Sequence, residues 1–228
     1  MQRQGIQVNE KKKDQNHSKW HQTFFDVTAR KPSGWLGKLL YQKPVGHYGF
    51  FRVAIERLQL QPEDIFLEIG CGGGVLLEIV LQTVQQACGI DHSPDMVELA
   101  RQKNEKALSE GRVEIVQGDV GALPWAGNCF TCSAGVEMLY FIENPMRTLE
   151  ELYRVLKPGG RLVLVTAVQP TSTLSKLASS PWLRYLRFWP NDELASMLRQ
   201  AGFQTVQVKR VDRSEHTVFA HQLVWAVK

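Results

Sequence analysis

Gly70, Gly72 and Gly74 alternate at the end of a stretch reading Phe66-Leu67-Glu68-Ile69-Gly70-Cys71-Gly72-Gly73-Gly74, whose opening residues are apolar-weighted. An apolar run broken by glycines and resumed at Val75 reads as strand, turn and helix. A turn of that kind lets the backbone approach a bound nucleoside with no Cβ in the way. Asp91 stands 21 positions after Gly70, where a carboxylate can accept from both hydroxyls of a ribose. Asp119 is placed to accept from an exocyclic adenine amine. Glu137 falls where a reacting group would lie, and a solvated loop acid is the competing reading for it.

Elements able to bring these residues together are legible in the hydrophobic pattern. A helix over Tyr48–Leu60 places Phe51, Ala54, Ile55 and Leu58 on one face. Strand Ile65–Ile69 precedes helix Gly74–Gln82, and strand Gln86–Ile90 precedes a helix capped by Ser93-Pro94 that runs to Glu110 and stops at Gly111. Strands Val113–Gln117 and Phe130–Gly135 follow. Asn144-Pro145 opens a helix with Leu149, Leu152, Tyr153 and Leu156 inside, and Lys157-Pro158-Gly159-Gly160 turns it into strand Arg161–Ala167. Helix Asn191–Ala201 and strands Thr205–Arg210 and Val218–Val227 close the chain, the last two as a hairpin. Strands alternating with helices call for an α/β fold, a doubly wound, mostly parallel sheet with helices on both faces. All four singled-out features would then meet at the carboxyl ends of the strands.

Composition narrows the class. At 228 residues the chain suits one α/β domain, with the apolar and charged fractions of an ordinary globular protein. No run approaches the ~18 apolar residues of a membrane span. Met1 to Trp20 is polar and lysine-bearing, unlike a secretory signal, so a cytoplasmic location is the default. Net charge is +7 over residues 1–60, −8 over 61–160 and +5 over 161–228. An acidic middle argues against a polyphosphate or nucleic-acid backbone on the face that holds the site. Cys129-Phe130-Thr131-Cys132 has C-x-x-C spacing but falls in a strand, with no second pair to complete a zinc site. The four cysteines, Cys71, Cys88, Cys129 and Cys132, are read as core thiols, and no metal site is expected.

Two ligands suit the glycine turn with Asp91 and Asp119: a dinucleotide, or an adenosyl-sulfonium methyl donor. The dinucleotide fingerprint, Gly-x-Gly-x-x-Gly, would need glycine where Val75 stands. A methyl donor has no pyrophosphate and depends less on a free helix N-terminus. The spacing favours the methyl donor.

Four motifs together resemble the class I S-adenosylmethionine-dependent methyltransferases, and most closely their UbiE-like, type 11 domain. They are the glycine stretch, Gly89-Ile90-Asp91-His92-Ser93-Pro94-Asp95-Met96, Gly118-Asp119-Val120 and Leu156-Lys157-Pro158-Gly159-Gly160-Arg161-Leu162. The resemblance covers about residues 45–227. It implies a Rossmann-like, seven-stranded sheet of order 3-2-1-4-5-7-6 with strand 7 antiparallel. It assigns Glu68, Gly70, Gly72 and Gly74, with Cys71 between them, to the methionine end of S-adenosylmethionine. Asp91 falls to the ribose and Asp119 with Val120 to the adenine. His92, beside Asp91, either lines the adenosine pocket or faces solvent, and Met96 is a further donor-site candidate. The family more often carries Asp where Glu68 stands.

Transfer from a sulfonium is an in-line displacement with a good leaving group, so alignment and exclusion of water supply most of the acceleration. A general base is needed only for a protonated, weakly acidic acceptor. By position, Glu137 and Tyr140 are the candidates. Val136-Glu137-Met138-Leu139-Tyr140 lacks the Asn/Asp-Pro-Pro-aromatic motif of nucleobase amino-methyltransferases, and neither a Pro-Cys nucleophile nor an RNA-binding module is visible. A small-molecule acceptor is expected, with no nucleic-acid partner. The alternatives are a methyltransferase-like protein that binds the donor without turnover, and an NAD-binding protein.

Residues 1–44 read as a tail and cap segment, 45–228 as the methyltransferase domain, and 168–190 as a lid insertion. The lid places Trp182, Tyr185, Leu186 and Trp189 at helical spacing, near Arg184 and Arg187. It suits the lining of an apolar acceptor site, a membrane-surface contact, or a helix packed on the core.

Overall fold

The computed structural model describes residues 47–169, 186–211 and 220–228. The expected tail over 1–44, most of the 168–190 lid and the start of the last strand lie outside them.

Apolar periodicity shapes each element. Helix α1 (Tyr48–Leu58) buries Phe50, Phe51, Ala54 and Leu58. Strand β1 (Ile65–Ile69) is buried from its second residue on, and α2 (Val75–Val80) follows the glycine turn. Strand β2 (Gln86–Asp91) leads to α3 (Pro94–Lys103), where the Ser93 side chain accepts from the Met96 N–H as expected of an N-cap. The single helix expected as far as Glu110 is two, because Asn104 interrupts it before α4 (Glu105–Ser109). The Asn104 side-chain amide donates to the Gly74 carbonyl at 3.0 Å and to the Ala100 carbonyl at 2.9 Å. It thereby ties the helix end to the glycine turn.

Strands β3 (Val113–Gln117) and β4 (Phe130–Val136) come next, then a single 3-10 turn at Leu139–Phe141. Helix α5 (Pro145–Val155) has Asn144 at its N-cap, accepting from the Arg147 N–H. It runs into β5 (Leu156–Ala167), whose pairing with β4 shifts register between Phe130 and Cys132. Helix α6 (Asn191–Gln200) leads to β6 (Thr205–Val211) and β7 (His221–Val227).

The seven strands form one sheet of order β3-β2-β1-β4-β5-β7-β6. Strands β1 to β5 pair in parallel, whereas β7 pairs antiparallel with both β5 and β6. Both the order and the antiparallel seventh strand are as expected. Period-two alternation divides the strands between two cores. Phe66, Cys132, Ala134, Val163 and Val165 pack with α1, α2 and α3 on one face. Leu67, Phe130, Leu162 and Leu164 pack with α5 and α6 on the other.

The thiols depart from the expected core reading. Cys71 and Cys132 are buried, but Cys88 and Cys129 are only half-buried, and Cys129 precedes β4 rather than lying in it. Burial pushes the Cys132 thiol up to about 12, and burial with the Glu114 charge does the same for Cys88. None is held as a thiolate, the form that redox chemistry requires.

Candidate active site at the carboxyl ends of the strands

A cavity of about 700 Å3 opens at the carboxyl edge of the sheet, where the strand order turns outward from β1 to β2 on one side and β4 on the other. Its floor is the turn after β1. Gly70 has φ +65°, and a Cβ there would lie 2.9 Å from the Met138 Cβ. Glycine is required at that position on both counts.

Gly74 has a different job. It does not line the cavity; it caps α2 in the left-handed region, and a Cβ would meet Ala100 at 2.8 Å and the Asn104 amide at 2.7 Å. Its missing side chain lets the turn pack onto α3.

Asp91, the last residue of β2, is the anchor. Its Oδ2 accepts from the Gly72 N–H and its Oδ1 from the Ser93 N–H, each at 2.9 Å. Those bonds fix the carboxylate and leave each oxygen a further lone pair for the cavity. His92, half-exposed beside it, approaches Oδ1 at 3.4 Å.

Glu68, on β1 two residues before the turn, is buried. It accepts a backbone hydrogen bond from Leu77, while its Oε2 has no partner among the described residues. Burial raises the Glu68 carboxyl well above the usual carboxylate range, and the neighbouring Asp91 charge raises it further. A buried polar atom without a partner costs roughly 1–3 kcal/mol, so this oxygen stands ready for a donor group on a ligand.

On the far wall, Asp119 is exposed and its Oδ1 accepts from the Gly121 N–H at 2.8 Å, with half-buried Val120 between them. Met96 closes the space from α3 and Cys71 from the turn.

After β4, Glu137 adopts φ 57°, in the left-handed region. A non-glycine residue there costs roughly 1–2 kcal/mol. Its N–H donates to the Val165 carbonyl at 2.8 Å and its Oε2 accepts from the Tyr140 hydroxyl at 3.1 Å. Of the residues expected from the sequence, all but Gly74 line this one cavity: Glu68, Gly70, Cys71, Gly72, Asp91, His92, Met96, Asp119, Val120, Glu137 and Tyr140.

Sequence reasoning missed several lining residues. His47 and Phe51 come from the start of α1, and Met138, Phe141, Arg147 and Thr148 from the segment after β4 and from α5. Phe51 was legible as an inward helix residue, but nothing in the pattern says that the helix start faces the strand ends. Burial holds the His47 imidazole below its ordinary value, with the Glu137 charge pulling the other way and His221 adding to the lowering.

Among the described residues, five acidic side chains (Glu68, Asp91, Asp119, Glu137, Glu143) and a single arginine, Arg147, line the cavity. That field suits a ligand bearing positive charge and repels a pyrophosphate. An adenosyl sulfonium with an ammonium at its far end meets the requirement, and the unpartnered Glu68 Oε2 supplies an acceptor for that ammonium. The fold and this acid-lined cavity define an adenosyl-type binding protein of the doubly wound class.

Comparison with known proteins agrees. The family described as Methyltransferase domain matches residues 67–164. Demethylmenaquinone methyltransferase of Oceanobacillus iheyensis is 30% identical over an alignment covering 72% of this chain and 79% of that one. A chloroplastic 2-methyl-6-phytyl-1,4-hydroquinone methyltransferase of Oryza sativa subsp. japonica is 29% identical, covering 67% of this chain and 46% of the relative. The chain thus spans about half the length of that plant protein. The crystal structure of the [4+2]-cyclase SpnF has the same fold, with a TM-score of 0.67 and 22% identity over 79% of this chain and 80% of that one. The chain belongs to the class I S-adenosylmethionine-dependent methyltransferases, in the UbiE-like, type 11 family. Among the described residues no helix is long and apolar enough to cross a membrane.

Proposed function

We propose that the protein transfers the methyl group of S-adenosylmethionine to a small-molecule acceptor of the hydroquinone or phenol type, as a cytoplasmic enzyme. The observation that carries the reading is the fixed Asp91 carboxylate beside an unpartnered, buried Glu68 oxygen, in a cavity whose described lining has five acids and one arginine. The two relatives named above act by their names on a demethylmenaquinone and a hydroquinone, which supports the acceptor class.

Glu68 and the Gly70–Gly72 turn hold the amino-acid end of the donor, and Asp91 accepts from the ribose hydroxyls. Asp119 and Val120 bound the adenine, with Met96, His92 and Cys71 forming the walls. Residues 45–228 form the catalytic domain. When bound, the donor supplies an electrophilic methyl on a positively charged sulfur. The chain's own work is to fix the cavity, to exclude water with the apolar side chains of Phe51, Val136, Met138 and Phe141, and to aim the acceptor. Glu137 and Tyr140, at the lip after β4, are the groups placed to handle an acceptor proton.

Calorimetric titration with S-adenosylmethionine and with NADH tests the first half. Saturable heat with S-adenosylmethionine alone is expected, and the reverse pattern overturns the reading. Mass spectrometry of soluble hydroquinones incubated with enzyme and donor tests the second half. A donor-binding protein that methylates none of them, nor any other small molecule screened, would be a binding or assembly protein instead. The cyclase structure shows that this fold does not itself dictate methyl transfer.

A further inference from the structure

Strand β7 runs against its neighbours, so its first residue lies at the edge where the parallel strands end. His221 pairs with Ala167, the last residue of β5, and sits 3.0 Å from the Glu137 Oε2 through its Nε2. It is only 2% exposed, and the Phe50 ring packs against it with centroids 4.1 Å apart. The Nε2 approach is an ion-pair distance and not an aligned hydrogen bond. Neither ring nitrogen has a hydrogen-bond partner among the described residues, nor does the Glu137 Oε1. Two further titratable groups face the pair: Tyr140 from the 3-10 turn, and His47 from the start of α1. A histidine with no hydrogen bond at either nitrogen, set behind a carboxylate in a left-handed backbone, contributes little as a structural fastener. It suits a carboxylate whose orientation and charge matter to something that enters the cavity.

We propose that Glu137 and His221 form a proton-accepting pair for a hydroxyl group of the methyl acceptor, Glu137 touching the acceptor and His221 acting as the positioning residue behind it. In that step the acceptor O–H bond breaks and its proton bonds to a carboxylate oxygen of Glu137. The electron pair stays on the acceptor oxygen, which is then the nucleophile. The pair therefore selects an acceptor that carries a removable hydroxyl proton, and it rests on the methyltransferase reading for the identity of the second substrate.

Histidine ring resonances of the full-length protein, recorded by NMR at one fixed pH, test the pair without any turnover. In Glu137→Gln the His221 ring resonances are expected to shift, since the carboxylate oxygen 3.0 Å from its Nε2 has been altered. Unmoved His221 resonances in a folded Glu137→Gln protein overturn the pairing. With a soluble hydroquinone as acceptor, His221→Leu is expected to lower kcat by roughly tenfold or more and to change its pH profile, leaving the KM for S-adenosylmethionine unchanged. His221→Gln, which keeps a polar group beside the carboxylate, should recover part of that loss. Equal kcat and pH profile in wild type and both variants overturn the positioning role. Failure of the wild-type protein to bind S-adenosylmethionine would instead sink the methyltransferase reading and leave the His221 resonance result standing.

Discussion

Asn104 holds Gly74 from thirty positions away in the chain, its side-chain amide donating to the glycine carbonyl while also closing the end of α3 on Ala100. The cavity floor is thus clamped from beneath by a buried residue that never touches the ligand space. Asn104→Ala removes both side-chain bonds and leaves the Gly74 carbonyl only the Glu78 N–H, at 3.1 Å. A loss of about 1–3 kcal/mol in chemical denaturation is expected, together with weaker donor binding by calorimetry. Full stability in the variant would show that the clamp is decorative.

Gly70 sits against Met138, the residue following Glu137. Gly70→Ala must place a Cβ in the left-handed region and 2.9 Å from the Met138 Cβ. The backbone alone costs roughly 1–2 kcal/mol, and the collision displaces the segment after β4. Donor affinity and transfer should both fall, the latter more; a variant with wild-type titration curves would contradict the geometry.

Asp91 accepts two backbone N–H groups and faces the cavity. Asp91→Ala strips the turn of its anchor and the ribose of a charge-assisted partner. Donor affinity is expected to weaken by more than about tenfold, and an unchanged dissociation constant would remove Asp91 from the binding role.

Glu68 makes stability and function pull apart. Burial and the Asp91 charge raise its folded-state pKa well above the unfolded value. The folded state therefore keeps a proton that the unfolded state has released. Stability is full below the unfolded pKa and falls as pH rises from there toward the folded pKa. Glu68→Gln carries no such penalty, so the ligand-free variant should melt higher at neutral pH, by about 2–4 °C for each kcal/mol relieved, and lose that part of the pH slope. The variant should bind S-adenosylmethionine more weakly. Wild-type affinity should rise with pH across the same window, because an ammonium favours the ionised carboxylate. Scanning calorimetry with and without ligand over that range checks all three outcomes, and a Gln variant melting below wild type at neutral pH would refute the account.

Much of this was written in the chain. The apolar runs of β1 to β5, the Ser93-Pro94 and Asn144-Pro145 caps and the spacing from Gly70 to Asp91 are local signals. Local signals survive in a sequence because strand and helix periods and cap chemistry act over a few residues. They were enough for the alternation of strands and helices and for one side of the cavity, whereas the sheet order followed only from the family resemblance. Asn104 was not legible as a helix breaker, since its reason for interrupting the helix is a carbonyl thirty residues upstream. The same holds for His47 and Phe51, brought to the cavity by the packing of α1 on the sheet.

The sequence by itself determined a strand, a glycine turn and a carboxylate at the end of the next strand, hence the kind of ligand that fits. Tertiary structure alone decided that His221 backs Glu137. A hairpin strand running opposite to the rest delivers its first residue to the edge where the others deliver their last, and no local pattern around position 221 encodes that meeting. The reason is physical: strand pairing and direction are set by long-range burial, and only burial brings residues 84 positions apart to within 3.0 Å.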